Sequence, residues 1–466
     1  MEAFLDKKQR LEVGFTYVLS KLALRSGYGM TYLNTLQPYQ DQAELETEFK
    51  RIALLKELIN DNVRVFNECD VYFSRLKDVT HLINSLDYVE LDEVEIFEIK
   101  KLVYNLNNIR MCFNKIVTCP SFLNITDYTD LFNYLDLDQS KQPFFSLYDG
   151  YHPLLKELRH TLKTLTSEDV DYLKTKQSIK DIEIMVKKEI AQEIGKYQEQ
   201  LQASIEQLGY LDLLISKAKL ALNYHLVKPD ISNSIVLENA YNPFIKEIIN
   251  DKGLHYIPLN MDIDHNINII TGSNMAGKSV SLKNIILNVL CFQYGIFPFA
   301  SKASLPLLDY IAYISDELQD VSNSLSSFGK EIVVLNDTLN YIKNKQGLLV
   351  LDEFARGTNP IEAKMIVSGL IEYLDKLNAI AILATHLDLN ISLEYAHYQV
   401  VGLDNYHENT FKDSIEKIMD YSLIKVDKHK KVPNDAFKVM NLLKLNDDLK
   451  EIIENIYERE MRDGSN

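Results

Sequence analysis

Two rhythms of apolar residues divide the chain. Up to about residue 225, leucine, isoleucine and tyrosine recur at helical intervals, glycine is sparse, and strand-like alternation is hard to find. The stretch from Lys187 to Tyr224 shows this most plainly. Ile190, Ile194, Tyr197, Leu201, Ile205, Leu208, Leu211 and Ile215 step by threes and fours with no proline, which predicts one long helix with a single apolar stripe. Such a stripe needs cover, and residues 93–112 (EVEIFEIKKLVYNLNNIRMC) offer a helix to pack on it. Residues 119–149, rich in Pro, Phe, Tyr, Asn and Asp, break the rhythm between the two. From about residue 232, short apolar runs alternate with helical segments, the mark of an α/β domain with a largely parallel sheet. The expected organisation is an all-α region over 1–118, a short connecting or clamp-like segment over 119–180, a return helix over 181–228, an α/β domain over 229–430 and a helical tail over 431–466.

The α/β half carries the chemistry. Gly272 to Ser279 reads G-S-N-M-A-G-K-S and fits the phosphate-loop pattern G-x-x-x-x-G-K-[ST] at every fixed position. It follows the apolar run Ile267 to Ile270 and precedes VSLKNIILNVLCF, so the context is strand, loop, helix. Backbone N–H groups of such a loop point at phosphate oxygens, Gly272 and Gly277 permit the backbone shape, and Lys278 adds a point charge on the β- and γ-phosphates. Ser279 is placed to ligate magnesium. A second apolar run, Gly347 to Leu351, ends in Asp352 and Glu353, a buried strand presenting two carboxylates at its tip. Asp352 is expected in the magnesium shell and Glu353 as the group that polarises an attacking water. A third run, Ile380 to Ala384, ends in Thr385 and His386, where a polar residue can sense the γ-phosphate; for His386 alone, a surface histidine is the default reading.

Composition sets limits on this picture. A chain of 466 residues has room for two to four domains, and no apolar run is long enough to span a bilayer. The first residues, MEAFLDKKQR, lack a signal peptide's apolar region, so a cytoplasmic location is expected. Cys69, Cys112, Cys119 and Cys291 are scattered without metal-ligand spacing and read as reduced core thiols. The net charge of −17 argues against a surface that grips a nucleic-acid backbone. Between Ser121 and Gly150, Asp127, Asp130, Asp136, Asp138 and Asp149 face a single Lys141, a balance expected to repel phosphates. Lys174, Lys176, Lys180, Lys187 and Lys188 could line a basic groove, but interleaved acids suggest an ordinary solvated helix face.

The strings ITGSNMAGKSVSLKNI, FPFASKASLPLLDYI, DELQDVSNSLSSFGKEI, LLVLDEFARGTNPIEAK and ILATHLDLN, in that order, resemble the ATPase domain of the MutS family. The helical half resembles that family's core and lever region, entering the ATPase domain through VLENAYNPFI, where Asn242 replaces the histidine of a His-Pro pair. The resemblance implies a P-loop, ABC-like α/β ATPase domain preceded by an all-α core and lever domain, with ATP and Mg2+ as cofactors. It implies nucleotide contacts from Gly272, Ser273, Asn274, Met275, Ala276, Gly277, Lys278, Ser279 and Val280, and catalytic roles for Lys278, Glu353 and the switch residue His386. Magnesium falls to Ser279 and Asp352. Tyr256, in HYIPLN, falls where the family stacks an aromatic on adenine, although a core tyrosine reads nearly as well. Ser324, Ser326, Ser327 and Phe328 resemble the signature segment that reaches a partner's nucleotide across a dimer interface, with Thr358 and Asn359 of ARGTNP beside it. An ATP-dependent homodimer is the implied assembly; Arg356 fits an inter-subunit contact or a structural ion pair.

Departures from the mismatch-reading pattern shape the functional expectation. The first 60 residues contain no Phe-x-Glu, and recognition and connector domains are not expected before the helical region. The strings HYQVVGLDN, MDYSLIKV and VPNDAFKVMNLLKLNDD resemble the MutS-related ATPase subunit of the lysine 5,6-aminomutase reactivase. That likeness implies a small companion subunit and a cobalamin- and pyridoxal-phosphate-dependent aminomutase as client, the cofactors being the client's own. The alternative is a DNA-structure-binding MutS relative acting in repair or recombination.

Overall fold

The computed structural model describes residues 3–86, 91–137, 147–272, 277–315, 327–389, 391–402, 420–427, 440 and 446–463. In chain order its helices are α1 (Lys7–Glu12), α2 (Phe15–Ser20), α3 (Gly27–Thr35), α4 (Gln42–Asp61), α5 (Val63–Ser74), α6 (Thr80–Asn84), α7 (Glu93–Phe113), α8 (Thr129–Leu135), α9 (Pro153–Thr164), α10 (Val170–Gly195), α11 (Gln198–Asn223), α12 (Pro243–Asp251), α13 (Lys278–Gln293), α14 (Ser327–Ile342), α15 (Pro360–Leu374) and α16 (Asp447–Asp463). The strands are β1 (Asp230–Ile231), β2 (Ile235–Ala240), β3 (Leu259–Ile263), β4 (Ile267–Thr271), β5 (Lys302–Leu305), β6 (Tyr310–Ile314), β7 (Gly347–Asp352), β8 (Ala379–Thr385), β9 (Ala396–Gly402) and β10 (Asp420–Val426). The chain divides into two compact units: Met1–Lys21 with Gln37–Lys50 and Ala221–Asn466, and Leu22–Leu36 with Arg51–Leu220.

The first unit is α/β, as the alternating pattern predicts. A six-stranded sheet runs β10-β9-β4-β8-β7-β6, parallel throughout except for β10 against β9. Strands β4, β6 and β7 are buried along their whole length, which is why they read as continuous apolar runs rather than as alternation. Period two still sorts their faces. Ile267 and Ile269, Tyr310, Ala312 and Ile314, Leu349 and Leu351, and Ala381 and Leu383 form one core with Val367, Ile371 and Leu374 of α15 and with Leu335 and Ile342 of α14. Helix α13 lies against β7 and β8, and is buried nearly all round. Gly347 starts β7 directly opposite Tyr310, whose ring would lie 2.4 Å from any Cβ there. A smaller sheet, β1-β5-β2-β3, completes the unit.

The expected boundary at residue 118 needs revision. Residues 1–21 and 37–50 group with the α/β unit because their aromatic side chains pack into it: Phe15 lies 5.0 Å from Tyr294, and Phe49 lies 5.3 Å from Phe292 and 5.8 Å from Phe297, centroid to centroid. The second unit is wholly helical among its described residues. Helix α7 opens with a capping box from Asp92 and Glu95 and buries Ile96, Ile99, Val103, Leu106 and Ile109, packing on α5 and α8. The single long helix expected over Lys187 to Tyr224 is two helices. Gly195 ends α10, Lys196 and Tyr197 turn with N–H groups bonded three residues back, and α11 restarts at Gln198. Helix α11 is buried beyond one stripe, enclosing Asp212, Leu213, Leu214 and Ala218 as well as the predicted apolar positions.

The segment over 119–180 contains α8, α9 and the start of α10 rather than a mere connection. Its acids are not a bare repelling surface. Asp136 pairs with Lys100 at 2.6 Å inside the unit, Asp127 with Arg110 at 2.7 Å, and Asp149 with Arg159 at 2.7 Å. The cysteines are free, and Cys69 and Cys112 are buried on the packed helices α5 and α7. Among the described residues no helix is long and apolar enough to cross a membrane.

Candidate functional site

The carboxyl ends of β4, β8 and β7, adjacent and parallel, bring the predicted residues to one edge of the sheet. Beyond β4, Gly277 is the N-cap of α13 at φ 81°, in the left-handed region that favours glycine. A Cβ there would also meet the Tyr421 ring at 2.9 Å. Ser273, Asn274, Met275 and Ala276 lie outside the described residues. Lys278 follows, 3% exposed, and its Nζ donates to the Gly272 carbonyl at 2.9 Å and pairs with Glu353 Oε1 at 3.2 Å. Ser279 and Val280 continue the helix at the mouth of the site, exposed and half-buried respectively.

Beyond β7 the chain makes a strained turn. Glu353 and Ala355 both take positive φ, 51° and 66°, a conformation costing non-glycine residues about 1–2 kcal/mol each. Glu353 N–H donates to the Ala384 carbonyl of β8 at 2.9 Å, and Ala355 N–H donates to Oε2 of the buried Glu331, also at 2.9 Å. This turn folds the Glu353 carboxylate back between two cations, Lys278 on one oxygen and Arg356 Nη1 on the other at 2.9 Å. Arg356 thus makes an ion pair within its own chain.

Asp352, 8% exposed, receives hydrogen bonds from the Ser279 hydroxyl and, at 3.4 Å, from Tyr313 Oη. Burial pushes its carboxyl above the usual range, opposed first by the Ser279 bond; the Glu353 charge raises it further and Lys283 lowers it. Among the described residues its buried Oδ1 has no hydrogen-bond partner. A hydroxyl and a carboxylate with one uncommitted oxygen make a hard, incomplete donor set, which suits magnesium sharing its shell with phosphate and water. Among the described residues no cluster of three or more His, Cys, Asp or Glu offers a self-sufficient metal cage.

A cavity of about 380 Å³ adjoins Lys278, Ser279 and Glu353, and is walled by Leu254, Tyr256, Ile257 and Tyr421. Tyr256 is both wall and core. It is 6% exposed, its hydroxyl accepts the Asn242 N–H at 3.1 Å, and burial pushes its phenol up to about 12. Asn242 itself is fully buried, caps α12 through Phe244 and Ile245 N–H, and donates to the Val13 carbonyl. His386 is exposed immediately after β8, between the loop strand and the carboxylate strand. Phe328 packs on the apolar core, Thr358 Oγ1 donates to Glu362, and Asn359 caps α15, so each has a role within its own chain. Ser324, Ser326 and the side chain of Ser327 lie outside the described residues. Tyr421, Glu331 and Tyr313 carry no sequence signal and were missed, whereas Lys283, four residues after Ser279, could have been found from helical spacing.

Residues 268–450 match the family model of MutS domain V. The match to domain V takes in β4, α13, the two carboxylates and the strands on either side of them. The DNA mismatch repair protein MutS of Streptococcus gordonii is 29% identical over 256 residues, covering 53% of this chain and 30% of that protein. Its namesake from Persephonella marina is 28% identical over 254 residues, 53% of this chain and 28% of the other. That of Lactobacillus johnsonii is 28% identical over 322 residues, 67% and 36% respectively. The chain thus spans about a third of the length of the curated relatives it matches.

Proposed function

We propose that this chain is a magnesium-dependent ATPase whose nucleotide cycle drives a conformational switch. The observation that carries the reading is the buried contact of Lys278 with Glu353, beside Asp352 and below the left-handed Gly277. The match to MutS domain V supports it. Lys278 exchanges its carbonyl and carboxylate partners for phosphate oxygens. Glu353, released on that side and held by Arg356 on the other, takes the proton of an in-line water. Ser279 and Asp352 would hold magnesium, which neutralises developing phosphate charge. The base lies in the cavity between Tyr256 and Tyr421, and His386 senses the γ-phosphate. ATP holds two ATPase domains together through the segment around Ser324, Ser326, Ser327 and Phe328 with Thr358 and Asn359.

The client of the switch is a protein. The C-terminal strings that resemble an aminomutase reactivase subunit support this, and with it a small companion subunit. A second reading, DNA binding, is favoured by two observations: the matched relatives are named DNA mismatch repair proteins, and Asp127, Asp136 and Asp149 are neutralised by partners. ATP hydrolysis measured alone and with duplex or branched DNA across a salt titration separates the two. A magnesium-dependent rate that vanishes in Lys278→Ala and ignores DNA supports the protein client. Stimulation by DNA that fades with rising salt transfers the function to DNA. No magnesium-dependent hydrolysis under either condition refutes the ATPase.

A further inference from the structure

A strand buried on both faces is an unfavourable place for a histidine unless its ring nitrogens are paired. His397 lies in such a strand, β9, and is 5% exposed. Parallel pairing sets it opposite Ile269 of β4, so it shares a face with Thr271, the last residue of β4 and the one directly before Gly272. Its Nε2 lies 2.8 Å from the buried Thr271 hydroxyl, and its Nδ1 lies 3.1 Å from the Asp427 carbonyl just beyond β10. A carbonyl only accepts, so Nδ1 carries the proton, and in that tautomer Nε2 receives the Thr271 O–H. The imidazole thus ties the end of β4 to the end of β10.

Strand β10 also meets the far end of the phosphate loop. Tyr421, near its start, packs on Gly277 so closely that a Cβ there would lie 2.9 Å from the ring. Gly277 leads into Lys278, whose Nζ donates to the Gly272 carbonyl at 2.9 Å. The antiparallel ribbon β9–β10 is itself tied to β3 and the turn after it: Tyr398 Oη donates to the Asp262 carbonyl, and Lys425 Nζ lies 3.3 Å from Asp264 Oδ1. Both described ends of the loop, Gly272 and Gly277, are therefore held from one ribbon.

We propose that the β9–β10 ribbon clamps the phosphate loop and that His397 is a positioning residue for the nucleotide's phosphates: it pins Thr271, and so sets where the Gly272 backbone stands relative to Lys278. The physical reason is preorganisation. Gly272, at φ 152°, has no side chain of its own to hold it, so its placement is borrowed from its neighbours. Groups that converge on a ligand keep their affinity only when held to within about 0.5 Å, which a side-chain bond on the preceding residue helps to secure. This inference rests on the nucleotide reading above and extends it to two strands that carry no nucleotide motif.

The test is binding of N-methylanthraniloyl-ADP with magnesium to the full chain, measured beside the urea midpoint of each variant. Thr271→Val, which keeps the β-branched shape and deletes the hydroxyl, and His397→Leu are each expected to weaken binding about tenfold, the effect of one buried hydrogen bond. The two together are expected to weaken it no further than either alone, because both delete the same bond. His397→Gln, whose amide reaches the place of Nε2, is expected to keep most of the affinity. Native affinity in a folded Thr271→Val chain overturns the proposal even if its urea midpoint falls, since the bond then serves stability alone. So do losses that multiply in the double variant. Thr271→Val, the smaller change, decides the matter where His397→Leu does not fold. A native chain that fails to bind the probe refutes the nucleotide reading, and the clamp with it.

Discussion

The turn after β7 gives a prediction whose magnitude follows from the structure. Glu353 and Ala355 both hold left-handed backbone, so the turn stores roughly 2–4 kcal/mol relative to relaxed backbone. What opposes that strain is the bond from Ala355 N–H to the Glu331 carboxylate, 2.9 Å long and buried, of a kind worth about 1.5–3 kcal/mol net. The two quantities are comparable, so the turn depends on Glu331. Replacing Glu331 by Ala is expected to cost about 2 kcal/mol in urea denaturation. The turn then relaxes and carries the Glu353 carboxylate off Lys278. Misplacing a catalytic group by about 1 Å costs up to about a hundredfold, so phosphate release should slow by roughly ten- to a hundredfold while nucleotide affinity in EDTA is retained. Adding Ala355→Gly removes about half of the strain and should recover part of both losses. A Glu331→Ala variant that loses the stability but turns over ATP within twofold of the native rate would falsify the claim that this turn positions Glu353.

Other perturbations follow from the same geometry. Glu353→Gln should still bind ATP, hydrolyse it far more slowly and accumulate as a dimer in light scattering; a monomeric variant with native turnover contradicts the assignment. Gly277→Ala meets both the positive φ and the Tyr421 ring, and should weaken nucleotide binding at least tenfold by calorimetry, with native affinity refuting the close approach. Lys100→Met leaves Asp136 buried without its cation, and about 3–5 kcal/mol of stability should be lost from the helical unit by denaturant midpoint. Burial pushes the phenols of Tyr28 and Tyr256 to about 12, so the unfolded chain releases these protons first, from pH 10. Their contribution is intact below pH 10 and lost as pH rises towards 12, by about 1.4 kcal/mol per pH unit for each. Melting temperature should fall across that window, and less steeply in Tyr28→Phe.

By itself the sequence determined the elements whose chemistry is local. The strand before Gly272 and the helix start at Lys278, the apolar run ending in Asp352 and Glu353, and the strand before His386 were legible because strand burial and helix starts are written in contiguous residues. The α/β character from about residue 232 was legible for the same reason. Tertiary structure alone decided which distant groups meet. That Glu331 holds the turn, that Tyr421 walls the cavity, that Tyr313 faces Asp352 and that residues 1–21 join the α/β unit each depend on contacts between segments far apart in the chain, which leave no periodic trace. The break at Gly195 was hidden because an apolar stripe continues across a two-residue turn. The acidic stretch misled for a related reason. Net charge can be counted along a sequence, but whether an aspartate repels or is neutralised depends on the cation folded beside it, and here Lys100, Arg110 and Arg159 supply that neutralisation.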